Sequence, residues 1–280
     1  MHPLVISKIT KNTPNAVLIS FEVSEKDKET FKFEAGQYLT IETKINEKSV
    51  RRSYSICCNE NGGLQVGIKE VPEGVFSTYA NRSLKESDRL MVTPPEGRFT
   101  FTPSQKPQTL AAFAAGSGIT PIMSILKTAL LNHPENRFHL IYGNKTPEET
   151  MFYEELKTLE AEFGDRLTIQ WAFSRANIEG SFFGRIEKSV VKNAIKSMEK
   201  PAEKLYLCGP ESMMDLVSDT LVDIGVEKSK IMFELFASTS SKVEIKNLKE
   251  VVSLEIIHDD LTHKIENIEG QSILEAALQN

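Results

Sequence analysis

The sequence predicts an antiparallel β domain followed by an α/β domain built on a parallel sheet. Three observations carry this. Residues 3 to about 101 hold short β-rich runs separated by turn residues. From Thr109 the period changes, and apolar runs alternate with helical patterns. Between the two, Pro94-Pro95-Glu96-Gly97 and the stretch Pro103 to Pro107 punctuate the chain. A domain boundary near residue 103 follows, and 280 residues are enough for two cores.

In the first part, Leu4–Ile6, Ala16–Phe21, Tyr38–Ile41 and Leu64–Ile68 read as strands. Thr13-Pro14-Asn15, Glu34-Ala35-Gly36 and Asn61-Gly62-Gly63 supply the turn chemistry between them. Short strands at close spacing predict an antiparallel barrel or sandwich. In the second part, Leu110–Ala114, Phe138–Tyr142, Leu167–Phe173, Leu205–Cys208 and Ile231–Phe236 read as strands. Helices are expected from Pro121, from Thr146, over Gly184 to Met198 and over Glu211 to Ile224. The second of these carries a capping box: Thr146 as N-cap, Pro147 at the first position, Glu149 at the third. Strand–helix alternation implies right-handed crossovers and a sheet covered on both faces.

The stretch Thr109 to Leu131 is the most informative. An apolar run ends in Gly116-Ser117-Gly118-Ile119-Thr120-Pro121, and Ile122, Ile125, Leu126 and Ala129 follow at helical spacing. The glycines let the backbone turn and approach a ligand with no Cβ in the way. A strand, glycine loop and helix aim orphan N–H groups at whatever lies above the strand, commonly phosphate. Read alone, the loop serves equally well as a tight packing turn. It is not a P-loop, since no Gly-Lys-Ser/Thr follows. Ligands of such sheets sit at the strands' carboxyl ends. Gly116–Thr120, Ser174-Arg175 and Cys208-Gly209-Pro210 all fall there.

Composition narrows the class. A net charge of −6 with no basic run argues against a nucleic-acid partner. The start of the chain lacks a signal peptide, and glycines and a proline interrupt the longest apolar stretch, so no membrane partner is expected. Cys57 and Cys58 are adjacent and Cys208 is distant, which gives neither a disulfide framework nor metal-ligand spacing. A cytoplasmic location is expected.

Three motifs now converge on a family. Arg52-Ser53-Tyr54-Ser55 resembles the Arg-x-Tyr-Ser flavin signature of the ferredoxin–NADP reductase superfamily. Gly116 to Pro121 resembles its pyridine-nucleotide loop, and Cys208-Gly209-Pro210 its second nucleotide motif. The resemblance covers residues 3 to 236 and extends to the reductase subunits of bacterial multicomponent oxygenases, the phenylacetyl-CoA epoxidase reductase type most of all. It implies an FAD-binding antiparallel β-barrel over residues 1–103, an NAD(P)-binding α/β domain over 107–236, and a linker over 237–242. Residues 243–280 resemble the opening of a [2Fe–2S] ferredoxin-like β-grasp domain, with a hairpin at Val251–Ile257 and Leu261–Ile265 and a helix capped by Ser272 with Glu275 three residues on. That domain type holds its cluster with four cysteines, and no cysteine follows Cys208. A [2Fe–2S] cluster is therefore expected only in a longer form of the protein.

The resemblance also implies roles. Tyr54 would stack on the isoalloxazine, Arg52 would face the pyrophosphate, and Ser55 would hydrogen-bond flavin N5; Ser53 completes the signature. Gly74-Val75-Phe76-Ser77 resembles the second flavin segment, with Ser77 a candidate helix cap. Cys208 would lie near the nicotinamide C4. Glu234 and Phe236, with Thr120, would lie near the flavin. Gly116, Ser117, Gly118, Ile119, Thr120, Pro121, Ser174, Arg175, Cys208, Gly209 and Pro210 would bind the nucleotide. Each residue also has a plainer reading: Tyr54 as a cross-strand aromatic, Arg52 as a surface ion pair, Cys208 as a small buried hydrophobe. The implied function is hydride transfer from NADPH, or NADH, to FAD. Electrons would then pass to an iron–sulfur centre and an oxygenase or other redox partner. A flavin- and nucleotide-binding regulatory protein without turnover is the alternative from another class. NADPH is expected to be preferred: the strand Leu167–Phe173 is followed by Ser174-Arg175 and no acid, which suits a 2′-phosphate.

Overall fold

The structure is a computed structural model. It describes residues 1–236 and two strands, Leu254–His258 and Leu261–Ile265. The expected linker at 237–242 and the helix from Ser272 lie outside the described residues.

The first part contains β1 (His2–Thr13), β2 (Ala16–Glu22), β3 (Tyr38–Ile45), β4 (Lys48–Ser55), β5 (Leu64–Lys69), helix α1 (Val75–Arg82) and β6 (Arg89–Val92). The strands form one antiparallel sheet in the order β4-β3-β6-β1-β2-β5. An antiparallel bridge between Ile56, just past β4, and Val66 of β5 joins the two ends and curls the sheet into a barrel. Register shifts between Ile6 and Lys8 and between Lys11 and Thr13 bend the long β1. Inside, Ile6, Ile19, Leu39, Ile41, Val66, Ile68 and Val92 pack with Phe76 of α1.

Two of these strands, β4 and β6, are additions to those expected. Strand β4 is exposed or half-exposed along most of its length. Its residues Lys-Ser-Val-Arg-Arg-Ser-Tyr-Ser therefore show no apolar alternation. The two-residue turn before it has positive φ at both Asn46 (49°) and Glu47 (65°). That is the geometry of a type I′ hairpin, made here without glycine.

The second part contains β7 (Thr109–Ala115), α2 (Ile119–Leu131), β8 (Arg137–Asn144), α3 (Tyr153–Phe163), β9 (Leu167–Phe173), β10 (Phe182–Phe183), α4 (Lys188–Ser197), β11 (Lys204–Cys208), α5 (Glu211–Asp223) and β12 (Ile231–Glu234). The sheet is parallel throughout, in the order β10-β9-β8-β7-β11-β12. Alternate residues of β7 face opposite layers. Leu110, Ala112 and Ala114 pack with α2 and α3, and Ala111 and Phe113 with α4 and α5. The first layer also takes in Ala16, Leu18, Phe99 and Phe101 from the barrel side. This layer therefore spans the two parts, while the barrel interior forms a core of its own.

Two helix starts differ from expectation. Thr146 makes no side-chain cap, and Pro147–Glu149 form one short 3₁₀ turn. The α-helix begins only at Tyr153, after Phe152 adopts a left-handed conformation. Met151 and Phe152 are fully buried, and fitting both into the core breaks the helix the capping pattern would have started. The helix expected from Gly184 begins at Lys188, because Phe182–Phe183 first add an edge strand beside Ala172 and Phe173. Leu254–His258 (β13) and Leu261–Ile265 (β14) pair as the expected antiparallel hairpin, in a separate compact unit.

Candidate active site

The chain order of the parallel sheet runs outward from β7 through β8 and β9 to β10, then returns to β11 on the other side of β7. The loops after β7 and β11 thus diverge at a topological switch point, where such sheets bind ligands. Gly116–Gly118 and Cys208-Gly209-Pro210 are those loops. Gly116 takes φ 56°, a left-handed value that favours glycine. Gly118 is needed for space: a Cβ there would lie 2.2 Å from the Cys208 carbonyl oxygen and 2.8 Å from the Gly209 nitrogen. The two nucleotide motifs are therefore in backbone contact. Gly209 is less confined: its Cβ would meet the flexible end of Met213, Cε, at 2.7 Å and Ala115 Cβ and N at 3.2 Å.

Three hydroxyl groups shape this end of the sheet. Tyr142 Oη donates to the Gly116 carbonyl at 2.9 Å, and Thr120 Oγ1 to that of Ser117 at 3.0 Å. Burial pushes the Tyr142 hydroxyl's pKa well up, so it stays a donor. Ser174 Oγ lies 3.4 Å from the Asn144 carbonyl, which also accepts the Ser174 N–H at 3.0 Å. Ile119, Thr120 and Pro121 are buried in the first turn of α2, which carries no acidic side chain to neutralise its positive end. Pro210 caps α5, and its carbonyl accepts the N–H groups of Met213 and Met214.

Cys208 is fully buried, in register with Ala114 on one side and Glu234 on the other. Burial pushes its thiol up, and Glu234 adds to the shift. Burial likewise raises the Glu234 carboxyl. Phe236 lies just past β12, two-fifths exposed. Arg175 is exposed, and its N–H donates to the Lys145 carbonyl at 2.9 Å. That bond joins the two residues through the backbone, while the Lys145 ammonium pairs with Glu149 at 3.5 Å.

On the barrel, Arg52, Ser53, Tyr54 and Ser55 form the end of β4. Arg52 is exposed, and its guanidinium bonds only to the neighbouring Arg51 carbonyl among the described residues. Ser53 Oγ shares a hydrogen bond of 3.0 Å with Thr40 Oγ1. Ser55 is buried. The Tyr54 ring leans on Phe76, with centroids 5.4 Å apart. Burial raises the Tyr54 hydroxyl's pKa, and Arg52 partly opposes the shift. Both barrel motifs thus meet through one aromatic pair.

Gly74 is the N-cap of α1, so Ser77 is not the cap. Its hydroxyl instead accepts the Val71 N–H and donates to the Gly74 carbonyl, both at 3.2 Å, closing the turn from within. A Cβ on Gly74 would lie 2.3 Å from that oxygen and 2.4 Å from Val71 Cγ2. The helix start is therefore bare backbone. Val75, Phe76 and Ser77 N–H groups occupy its first turn with no acid to neutralise them. This cradle, with Arg52 and Tyr54 beside it in the fold, fits a flavin dinucleotide. The loop Gly116–Gly118 fits a second dinucleotide. Among the described residues no group of three or more His, Cys, Asp or Glu could hold a metal ion, and no helix is long and apolar enough to cross a membrane.

Three contributions at the site escape sequence reasoning. Tyr142 reads as one more apolar strand residue, although a buried tyrosine hydroxyl needs a partner. Lys145 enters only through the Arg175 backbone bond. Gly67 of β5 touches the glycine loop from the barrel: a Cβ there would lie 2.8 Å from Thr120 Cγ2.

Comparison with known proteins agrees with this geometry. Residues 3–101 match the oxidoreductase FAD-binding domain family and residues 113–219 the oxidoreductase NAD-binding domain family. The chain is 32% identical over 286 residues to a component of the 1,2-phenylacetyl-CoA epoxidase of Escherichia coli (strain K12), covering 99% of this chain and 80% of that protein. It is 26% identical over 290 residues to the ferredoxin reductase component of 3-ketosteroid-9-alpha-monooxygenase of Rhodococcus rhodochrous, covering 98% and 79%. Among solved structures, phthalate dioxygenase reductase superposes with a TM-score of 0.68 at 24% identity, covering 99% of this chain and 79% of that one. The chain therefore belongs to the ferredoxin–NADP reductase family, in which an FAD-binding and an NAD-binding domain are joined, and is an FAD-dependent NAD(P)H oxidoreductase.

Proposed function

We propose that this protein takes a hydride from NADPH, or less readily NADH, onto FAD and passes electrons to an iron–sulfur centre and an oxygenase or other redox partner. One observation carries the hydride step. The glycine loop of the parallel sheet abuts Cys208–Gly209 on one side and barrel strand β5, through Thr120 and Gly67, on the other. The nucleotide loop thus packs directly against the barrel that carries the flavin segments. The onward transfer rests on the relatives named above as components of an epoxidase and of a monooxygenase.

FAD, when bound, supplies the redox chemistry, accepting electrons as a pair and releasing them singly. The protein binds, orients and shields. Tyr54 offers a flat face for the isoalloxazine, worth about 0.5–1.5 kcal/mol beyond burial. Arg52 and the first N–H groups of α1 supply positive charge for the pyrophosphate. Ser55 offers a hydroxyl for flavin N5. Cys208, kept a neutral thiol by burial, presents a small apolar wall toward the nicotinamide. Glu234, with its raised pKa, holds a proton beside it at higher pH than an ordinary carboxyl. Arg175, exposed after β9, favours a 2′-phosphate. We place the protein in the cytoplasm, on its three free cysteines. Anaerobic mixing of the FAD-loaded protein with NADPH tests the reading. Rapid bleaching of the flavin band, and turnover with ferricyanide, are expected; a flavin that stays oxidised refutes it.

A further inference from the structure

The barrel grips the nucleotide half along strands β1 and β5, beginning at the first turn of α2 and continuing to a segment outside the cofactor motifs. Strand β5 reaches it with alternate residues, which share one face of a strand. At Gly67 a Cβ would lie 2.8 Å from Thr120 Cγ2 and 3.0 Å from Met151 Cε. Two residues on, Lys69 Nζ donates to the Glu149 carbonyl at 2.9 Å. From β1, Asn12 Oδ1 accepts the Phe152 N–H at 3.0 Å. Asn12 and Lys69 therefore hold the two ends of a short segment, Glu149 to Phe152.

That segment is in an unusual conformation. Phe152 takes φ 61° and ψ 19°, a left-handed geometry rare for an aromatic residue. Such geometry persists only where the surroundings over-determine it. Its ring is buried, and Lys127 Nζ lies 5.9 Å from the ring centroid. Lys127 belongs to α2 and pairs with Glu155 of α3. Helix α2 is the one that begins at the glycine loop. The segment thus packs on the barrel at one side and on the loop's own helix at the other, and Met151 reaches the same glycine that Thr120 touches.

We propose that Asn12 and Lys69 are positioning residues for hydride transfer: by clamping residues 149–152 to the barrel they set the glycine loop, Thr120 and Cys208 against the flavin side. The inference rests on the hydride-transfer reading above. Neither residue belongs to a cofactor motif. Their loss is felt where geometry matters most, since a misplacement of about 1 Å costs on the order of 10²-fold in rate.

The test is anaerobic stopped-flow reduction of the FAD-loaded full chain over a range of NADPH and NADH concentrations. Parent, Asn12→Ala, Lys69→Met, Asn12→Asp and Lys69→Arg are compared, with rates expressed per bound flavin. In Asn12→Ala and Lys69→Met the limiting reduction rate should fall at least about fivefold. The nucleotide Kd should stay within about twofold of the parent, and the long-wavelength charge-transfer absorbance of the nicotinamide–flavin complex should weaken. Asn12→Asp keeps the acceptor and Lys69→Arg keeps a donor, so both should recover most of the rate. Parent-like limiting rates in Asn12→Ala and Lys69→Met overturn the inference, as does a loss that the conservative variants fail to recover. A parent chain that neither coenzyme reduces overturns the hydride reading itself.

Discussion

Replacing Gly118 by alanine should disable the nucleotide loop without unfolding the protein. The added Cβ would sit 2.2 Å from the Cys208 carbonyl oxygen, 2.5 Å from its carbonyl carbon and 2.8 Å from the Gly209 nitrogen. A relaxed carbon–oxygen contact is about 3.3 Å, so 3.3 − 2.2 leaves roughly 1.1 Å to be found by movement. All three obstructing atoms are backbone. Cys208 is hydrogen-bonded into the middle of the sheet between β7 and β12 and cannot yield. The loop must move instead. Overpacking of this kind costs about 1–3 kcal/mol, and Tm should fall by several degrees at roughly 2–4 °C per kcal/mol. A displacement of about 1 Å should slow hydride transfer on the order of 10²-fold, equal to about 2.7 kcal/mol of activation free energy. Gly116→Ala is the control. Nothing lies within 4 Å of its Cβ position, but its φ of 56° imposes on the alanine a strain of about 1–2 kcal/mol. Its Tm should fall while its reduction rate changes only a few-fold. Single-turnover flavin reduction and thermal unfolding on both variants decide the matter. A Gly118→Ala protein that reduces its flavin within about threefold of the parent's rate would refute the packing argument.

Four further outcomes are expected. Tyr54→Ala should lose flavin on dilution and Tyr54→Phe should retain it, while Arg52→Ala should weaken FAD affinity roughly 10–100-fold, the scale of a hydrogen bond to a charged group; fluorescence titration of the apoprotein measures both. Arg175→Ala should erase a kcat/KM preference for NADPH, and an equal or better NADH rate in the parent would count against the assignment. Tyr142→Phe leaves the Gly116 carbonyl without its donor and should cost about 1 kcal/mol, read as a small fall in Tm with FAD content unchanged. Glu234 has a folded pKa above its unfolded one, so its contribution to stability is full below the unfolded value near 4.3 and is lost as pH rises through the folded value. In Glu234→Gln that part of the Tm–pH curve should be shallower, with Glu160, also raised by burial, still contributing; an unchanged slope would show that the Glu234 carboxyl is not desolvated.

The fold was most legible where both faces of an element are buried; the four-residue β6 buries Leu90 and Val92 on one face, too short a run to show a period. Leu167–Phe173 is buried at both ends with Thr168 exposed between, and the runs Leu110–Ala114 and Leu205–Cys208, buried throughout, read as strands from apolarity alone. Strand β4 did not, because most of its side chains meet water and its turn uses Asn46 and Glu47 where glycine would have signalled it. Thr146-Pro147-Glu148-Glu149 is a sound helix start judged locally. It yields to tertiary packing, since Met151 and Phe152 must enter the core and only a break at Phe152 lets them. Ser77 shows the same limit on a smaller scale. A serine near a helix start reads as its cap, yet the position that matters is set by where Val71 offers its N–H.

The candidate site divides along the same line. Its glycines were readable because they are backbone requirements, and a backbone requirement leaves a residue type behind. Gly116 answers to a dihedral angle that glycine meets without strain, and Gly118 to a neighbouring carbonyl that leaves no room for a Cβ. Gly67 was not read this way, although a glycine inside a strand can mark a close approach; the structure shows that Thr120 is what approaches. The groups that hold the two halves together left no such mark. Asn12 and Phe152 are 140 residues apart in sequence, and Tyr206 and Thr100, whose hydroxyl and carbonyl lie 3.4 Å apart, are separated by 106. An asparagine, a lysine or a tyrosine on a strand satisfies many environments, so its identity does not point to its partner. Side chains that set distances between domains are therefore the least visible in sequence. In an enzyme whose chemistry depends on bringing two cofactors together, they are also the ones to which rate should be most sensitive.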